Sequence, residues 1–120
     1  MPVWSLNSPV FEWPKREEVL AAARDWASKL RTDDPSVTRV YCIGSYARGD
    51  WGFGSDLDMI VILGDTQMSA KERYDRYCPA GLPVEADVWV YTEAEWMALE
   101  TNSPSYWRRI QGELLNLLND

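Results

Sequence analysis

Acidic residues just after a glycine-rich stretch are the part of the sequence whose types and spacing could perform chemistry. Asp56 and Asp58 lie two residues apart at the start of a predicted strand. Their side chains therefore project from the same face, with about 6–7 Å between the Cα atoms. Two such carboxylates raise each other's pKa unless a positive charge lies between them. Mg²⁺ would relieve the repulsion, since it prefers carboxylate and phosphate oxygens. The alternative is that both acids simply face solvent.

A glycine–serine pair precedes these acids. Gly44 and Ser45 follow a predicted strand directly and could open a short helix over 45–48. Glycine lets a ligand approach the backbone without a Cβ in the way. N–H groups at a helix start favour anions, and the serine hydroxyl adds a donor. Many strand-to-helix turns look like this without binding a ligand, so the pair alone does not define a site.

A third carboxylate lies on another predicted strand, over 84–91. Asp87 and Glu85 share one face of that strand and are rivals for the same role. If the two acid-bearing strands are neighbours, one of these residues completes a cluster with Asp56 and Asp58. We prefer Asp87, because it stands in the more apolar stretch, where an unpaired carboxylate is costly. Solvent-exposed surface is the alternative for either residue. An anion cradle with three acids is typical of a two-metal phosphoryl-transfer site.

The segment over residues 44–61, GSYARGDWGFGSDLDMIV, resembles a known signature. A Gly-Ser pair, ten residues, then Asp-Leu-Asp and an apolar run is similar to the motif of the DNA polymerase β-type nucleotidyltransferase superfamily. Within that superfamily, the chain resembles a minimal nucleotidyltransferase domain. The order of elements and the third acid extend the resemblance over roughly residues 15–100.

The resemblance implies roles for individual residues. Gly44 and Ser45 would hold the triphosphate of a nucleotide, and Asp56 and Asp58 would ligate Mg²⁺, of which two ions are expected. Asp87 would be the third acid, ligating one metal ion and helping to activate an acceptor hydroxyl.

Arg48 also falls within the motif, and two interpretations stay open for it. It either contacts phosphate or braces the loop through an ion pair.

The resemblance also implies a reaction and a partner. Family members transfer a nucleoside monophosphate from a nucleoside triphosphate, here expected to be ATP, to a hydroxyl and release pyrophosphate. Some minimal members act as antitoxins that pair with a small helical HEPN protein and adenylylate a tyrosine on it. An antitoxin-like binding module that acts by stoichiometric contact is the alternative. Since the chain stops soon after the third acid, we expect an acceptor that is small or presented by a partner protein or a second copy.

Composition excludes several other functions. The 120 residues suit one domain over 1–120. The 12 basic against 19 acidic residues give a net charge of −7, which argues against a nucleic-acid acceptor. The chain contains no histidine, which excludes histidine-based catalysis and metal binding. No apolar run is long enough for a membrane span, and no signal peptide is predicted, so we expect a cytoplasmic protein. In that location the two cysteines, Cys42 and Cys78, are expected to be reduced thiols in the core.

The order of the predicted elements indicates a mixed α/β (α+β) layer structure, and the resemblance implies the polymerase β-like nucleotidyltransferase fold, a small mixed sheet with helices packed on it. An irregular arm over 1–13 is expected to be pinned to the body by Trp4, Phe11 and Trp13. The predicted elements are a helix from Pro14 to about Thr32, strands over 37–43, 56–63 and 84–91, helices over 45–48, 70–77 and 92–99, and a C-terminal helix within 100–120.

Aromatic residues have two interpretations each. Trp51 and Phe53 either stack on a base or pack the loop down. Three others, Trp96, Tyr106 and Trp107, form either core or a partner surface.

Overall fold

Residues 13–52 and 54–118, the part of the chain that the computed structural model describes, form five helices and four strands. The mixed α/β class predicted from the sequence is confirmed. In chain order the elements are α1 (Arg16–Asp33), β1 (Val37–Ile43), α2 (Ser45–Arg48), β2 (Leu57–Leu63), α3 (Ala70–Tyr77), β3 (Ala86–Thr92), α4 (Glu93–Asn102), α5 (Pro104–Gln111) and β4 (Leu115–Asn116).

The strands form one mixed sheet in the order β3-β2-β1-β4. β1 runs antiparallel to both β2 and β4, whereas β2 and β3 are parallel. The end of β1 therefore meets the starts of β2 and β3 at one end of the sheet. In this register Asp58 lies opposite Ile43 on one side and Asp87 on the other.

Strand β2 is buried on both faces, which explains its continuous apolar run. One face packs under α1, and its fully buried side chains on β2 are Leu57, Met59, Val61 and Leu63. The other face carries Ile60 and Ile62, which pack with Trp96 of α4 and Ile110 of α5. Alternation thus assigns Asp58 to the face of Ile60, away from α1. The three late aromatic residues belong to this second core: Trp96 is buried, and Tyr106 and Trp107 pack against it.

Local signals fixed several helix starts. Ser69 accepts a hydrogen bond from the Glu72 N–H, and the Glu72 carboxylate accepts one from the Ser69 N–H. Thr92 and Glu95 form the same reciprocal capping box at α4. Both boxes have a Ser or Thr followed three residues later by Glu, the spacing typical of a helix start.

The C-terminal helix predicted within 100–120 is wrong after Gln111. α4 continues to Asn102, α5 ends at Gln111, and the chain then turns into β4, which pairs with Tyr41 and Cys42 of β1. Pairing satisfies backbone groups on the open side of β1, and it buries Leu117 and Leu118 in the core under α1. Residues 119–120 lie outside the described residues.

Smaller boundaries also differ, and α1 begins at Arg16 rather than at Pro14. β2 begins at Leu57 rather than at residue 56, and β3 spans Ala86–Thr92 rather than 84–91.

Cys42 is buried, and burial raises the pKa of its thiol to about 12. Cys78 is exposed, so its prediction as a core thiol is wrong. Cys78 directly follows the last residue of α3, and its side chain does not pack beneath the sheet.

The predicted arm is described only at its last residue. Trp13 packs against the core, and its Nε1–H donates to the Tyr46 hydroxyl at 3.1 Å. Trp4 and Phe11 lie outside the described residues. Among the helices that are described, none is long and apolar enough to cross a membrane. The single-domain organisation over 1–120 stays a prediction.

Candidate active site

Two predicted acids lie side by side on the sheet. Asp58 of β2 and Asp87 of β3 are register partners in a parallel pair. Neighbouring strands lie about 4.7–4.9 Å apart, and paired residues direct their side chains to the same face. Asp56 lies just before β2 and is exposed. Glu85, the rival of Asp87, lies outside β3, where its carbonyl oxygen accepts a hydrogen bond from the Leu57 N–H at 2.9 Å. The register therefore favours Asp87 as the partner of Asp58.

The acids repel one another. Partial burial of Asp58, followed by the charges of Asp87 and Asp56, raises the pKa of the Asp58 carboxyl. None of the ion pairs found among the described residues includes these three acids. A divalent cation would relieve this repulsion, and carboxylate oxygens are the donors that Mg²⁺ prefers. The chemistry of the donor set therefore fits Mg²⁺. Within the described part of the chain, however, no three acidic or cysteine side chains form a complete metal-binding group.

Gly44 lies directly against the Asp58 carboxylate. Its backbone has φ +78° and ψ −153°, a region that essentially only glycine occupies. A Cβ added there would lie 2.7 Å from Asp58 Oδ2. Ser45 follows as the first residue of α2. The fold thus brings the Gly-Ser pair, Asp58 and Asp87 together at one end of the sheet.

Of the two roles expected for Arg48, phosphate contact and bracing of the loop through an ion pair, its contacts fit the second. Its Nε–H donates to Asp50 Oδ2 at 3.1 Å, and its Nη1–H donates to Glu113 Oε2 at 3.1 Å. The guanidinium thus ties the end of α2 to two acids.

Glu113 was not predicted. Its Oε1 accepts a hydrogen bond from the Gly44 N–H at 3.0 Å, and its side chain is only 7% exposed. The one sequence signal for it is Gly112, because a glycine often marks the end of a helix. This glycine indicates that Glu113 lies beyond the preceding helix.

The loop around α2 is packed onto the body from the other side. Arg16 Nε–H donates to the Tyr46 carbonyl oxygen at 2.7 Å. The rings of Tyr46 and Trp51 stack with centroids 5.8 Å apart and an 8° interplanar angle. Trp51 therefore packs the loop down. Phe53 lies outside the described residues.

Open space adjoins Asp87 on the edge strand β3. Asp87 and Tyr74 both line two neighbouring clefts, of about 330 Å³ and about 470 Å³. Trp89, which is 42% exposed, forms part of the first cleft. Asp87 therefore borders both clefts.

The raised pKa of Asp58 predicts a specific pH dependence of stability. A carboxyl with a raised folded-state pKa destabilises the fold increasingly as pH rises above its ordinary value of 3.8. Asparagine cannot ionise, so Asp58→Asn should gain free energy of unfolding relative to wild type as pH rises from about 4, and the gain should level off above the raised pKa of Asp58. Urea unfolding of both proteins across this range measures the difference. A difference that is constant or shrinks with pH would contradict the electrostatic account.

Comparison with known proteins places the chain in a family. Residues 24–110, most of the chain, match the family model of the nucleotidyltransferase domain. No match is found among curated proteins.

Solved structures share the fold. The crystal structure of a candidate nucleotidyltransferase from Sulfolobus solfataricus has 22% sequence identity and a TM-score of 0.59, and the alignment covers 84% of this chain and 80% of that one. A toxin–antitoxin structure with AMP-PNP has 21% identity and a TM-score of 0.45, with coverage of 78% and 71%. The first likeness confirms the predicted nucleotidyltransferase fold. By the family match, the chain belongs to the nucleotidyltransferase domain family.

Proposed function

We propose that the chain is a Mg²⁺-dependent enzyme that transfers a nucleoside monophosphate, AMP from ATP, to a hydroxyl acceptor. The observation that carries this proposal is the register of Asp58 with Asp87, with Gly44 against the Asp58 carboxylate. Family membership supports the class of reaction. ATP and Mg²⁺ are our specific choices of donor and ion.

In this proposal the acids hold the metal ions and the glycine–serine turn holds the nucleotide. Asp56, Asp58 and Asp87 would bind two Mg²⁺ ions, which when bound stabilise charge on the attacking and leaving oxygens. Gly44 lets the Asp58 carboxylate lie directly against its backbone, and Ser45 would offer a hydroxyl and an amide to the triphosphate. Arg48 ends the same short helix, where it would brace the nucleotide site through its ion pairs with Asp50 and Glu113.

The reaction makes one bond and breaks one. The acceptor oxygen bonds to the α-phosphorus of the nucleotide, and the bond from that phosphorus to the pyrophosphate oxygen breaks. The hydroxyl proton passes to the carboxylate of Asp87, which lies on the edge strand and opens onto both clefts. The Gly44–Ser45 turn retains the departing pyrophosphate until release.

For the acceptor, we propose a hydroxyl presented by a partner protein, specifically a tyrosine of a HEPN-type toxin. The clefts beside Asp87 are open to the surface and have room for a side chain. The net charge of −7 disfavours a nucleic-acid acceptor. We also propose that the reaction takes place in the cytoplasm, the location expected from the sequence. A second copy of the chain as the acceptor is an outcome that the test below distinguishes.

The test is transfer of label from α-labelled ATP. Purified protein with Mg²⁺ should label one acceptor in an extract of the source cells, and Asp56→Ala should label it at least about a hundredfold more slowly. Asp65→Ala is the matched control, because Asp65 is an exposed acid just beyond the opposite end of β2. Labelling of the purified chain alone would identify a second copy as the acceptor. A partner bound equally by wild type and Asp56→Ala, without label on either, would replace the enzyme with the antitoxin-like binding module.

A further inference from the structure

Glu113 is a nearly buried acid that contacts two residues of the motif from far along the chain. Its two carboxylate oxygens bind different residues: Oε1 accepts from the Gly44 N–H at 3.0 Å, and Oε2 accepts from Arg48 Nη1 at 3.1 Å. Gly44 precedes α2 and Arg48 ends it. One side chain therefore holds both ends of the short helix.

The C-terminal strand determines where this carboxylate lies. Cys42 pairs with Leu115 in the antiparallel ladder of β1 and β4. Continuing that register by two residues places Glu113 beside Gly44. The Leu117 N–H also donates to the Val40 carbonyl oxygen at 2.9 Å, and Leu117 is buried. Glu113 is thus fixed by backbone pairing on one side of it and by α5 on the other.

The Gly44–Arg48 turn has few stabilising contacts among its own residues. α2 has four residues, and no side chain caps its start. Gly44 has a positive φ, a conformation that the flexible glycine backbone keeps only if its surroundings select it. Hydrogen bonds to a carboxylate are roughly twice as strong as bonds between neutral groups. Arg48 offsets only part of the negative charge of Glu113, because its guanidinium also pairs with Asp50.

We propose that Glu113 is a positioning residue: it fixes the Gly44–Arg48 turn in the conformation that receives the nucleotide triphosphate. It acts through Gly44 and Arg48 and does not touch the substrate. This inference rests on the proposed function. The competing view is that Glu113 only ties the C-terminal segment to the sheet, which would affect stability without affecting nucleotide binding.

The experiment compares Glu113→Ala and the isosteric Glu113→Gln with Glu93→Gln. Glu93 is a matched control because it also pairs with an arginine, Arg39, at 2.6 Å, and it lies at the opposite end of the sheet. Each protein is titrated with a non-hydrolysable ATP analogue in Mg²⁺, and its Tm, KM and kcat are measured.

A positioning role predicts a binding defect. Loss of the charged hydrogen bonds in Glu113→Ala should raise the analogue Kd and the KM for ATP at least about tenfold, with kcat within about threefold of wild type. Glu113→Gln should be intermediate, because its carbonyl oxygen can still accept from Gly44 while its amide cannot pair with Arg48. Glu93→Gln should keep the wild-type Kd and KM.

Two results would overturn the inference. Unchanged Kd and KM in both Glu113 variants, with a lowered Tm, would leave only the structural tie. A large loss of kcat with unchanged KM would show a role in the chemical step instead. Wild-type protein that neither binds the analogue nor transfers label would overturn the proposed function and this inference together. The two failures can be told apart, because the proposed function fails in the wild-type protein, whereas this inference alone fails only in the Glu113 variants.

Discussion

Asp58→Asn is expected to slow nucleotidyl transfer at least about a hundredfold without lowering the stability of the fold at neutral pH. Asp58 lies between β1 and Asp87 in the sheet, against the backbone of Gly44. Asparagine keeps the shape of the side chain but removes the charge that a metal ion requires. Partial burial and the charges of Asp87 and Asp56 raise the pKa of Asp58, so its ionised form destabilises the fold and removal of its charge should leave the Tm unchanged or higher.

This opposition between activity and stability is the distinctive part of the prediction. Steady-state transfer of label from α-labelled ATP gives the rate, and thermal unfolding gives the Tm. Asp65→Asn serves as the control, because it removes an exposed acid just past the other end of β2. A variant with near wild-type transfer would show that Asp58 is not part of the machinery. If the variant is equally slow but its Tm is strongly lowered, the loss of transfer activity is caused by unfolding.

Gly44→Ala is expected to have the second large effect, about a hundredfold loss of transfer, because it displaces the groups that must be aligned. The added Cβ would lie 2.7 Å from Asp58 Oδ2, closer than real Cβ atoms approach. The backbone at φ +78° also resists any residue with a side chain, at a cost of about 1–3 kcal/mol. Either the turn or the Asp58 carboxylate must move.

Gly81→Ala separates these two causes. Gly81 has φ +77°, nearly the same as Gly44, but no neighbouring atom within 4 Å of an added Cβ. It should therefore lower the Tm through backbone strain without weakening ATP binding, whereas Gly44→Ala should lower both. Chemical denaturation and titration with a non-hydrolysable ATP analogue measure the two effects. Equal losses of ATP affinity in the two variants would contradict the role of the Gly44–Asp58 contact.

Local sequence signals predicted the elements that carry the acids. The apolar run after Asp58 belongs to a central strand buried on both faces, and the alternation around Asp87 assigned that acid to the face it occupies. The capping boxes at Ser69 and Thr92 each define a helix start within four residues of sequence. Such signals act over short distances, so the sequence alone contains them.

Contacts between distant segments could not be predicted in this way. Leu114, Leu115, Leu117 and Leu118 fit a helical stripe as well as a short edge strand. The choice depends on the open side of β1, which lies about 70 residues earlier. Because β4 was missed, its neighbour Glu113 was missed too. The ion pair of Arg48 with Glu113 also joins residues 65 positions apart, so local signals could not predict this partner.

The most direct test of the whole account is Mn²⁺ binding, followed by electron paramagnetic resonance in the presence of a non-hydrolysable ATP analogue. The central claim is that acids from two different strands share one metal site beside Gly44. Asp87→Asn and Asp58→Asn should each weaken Mn²⁺ binding about 10–100-fold relative to wild type. Wild-type affinity in Asp87→Asn would contradict the claim, because it would show that the β3 acid does not share a metal with β2.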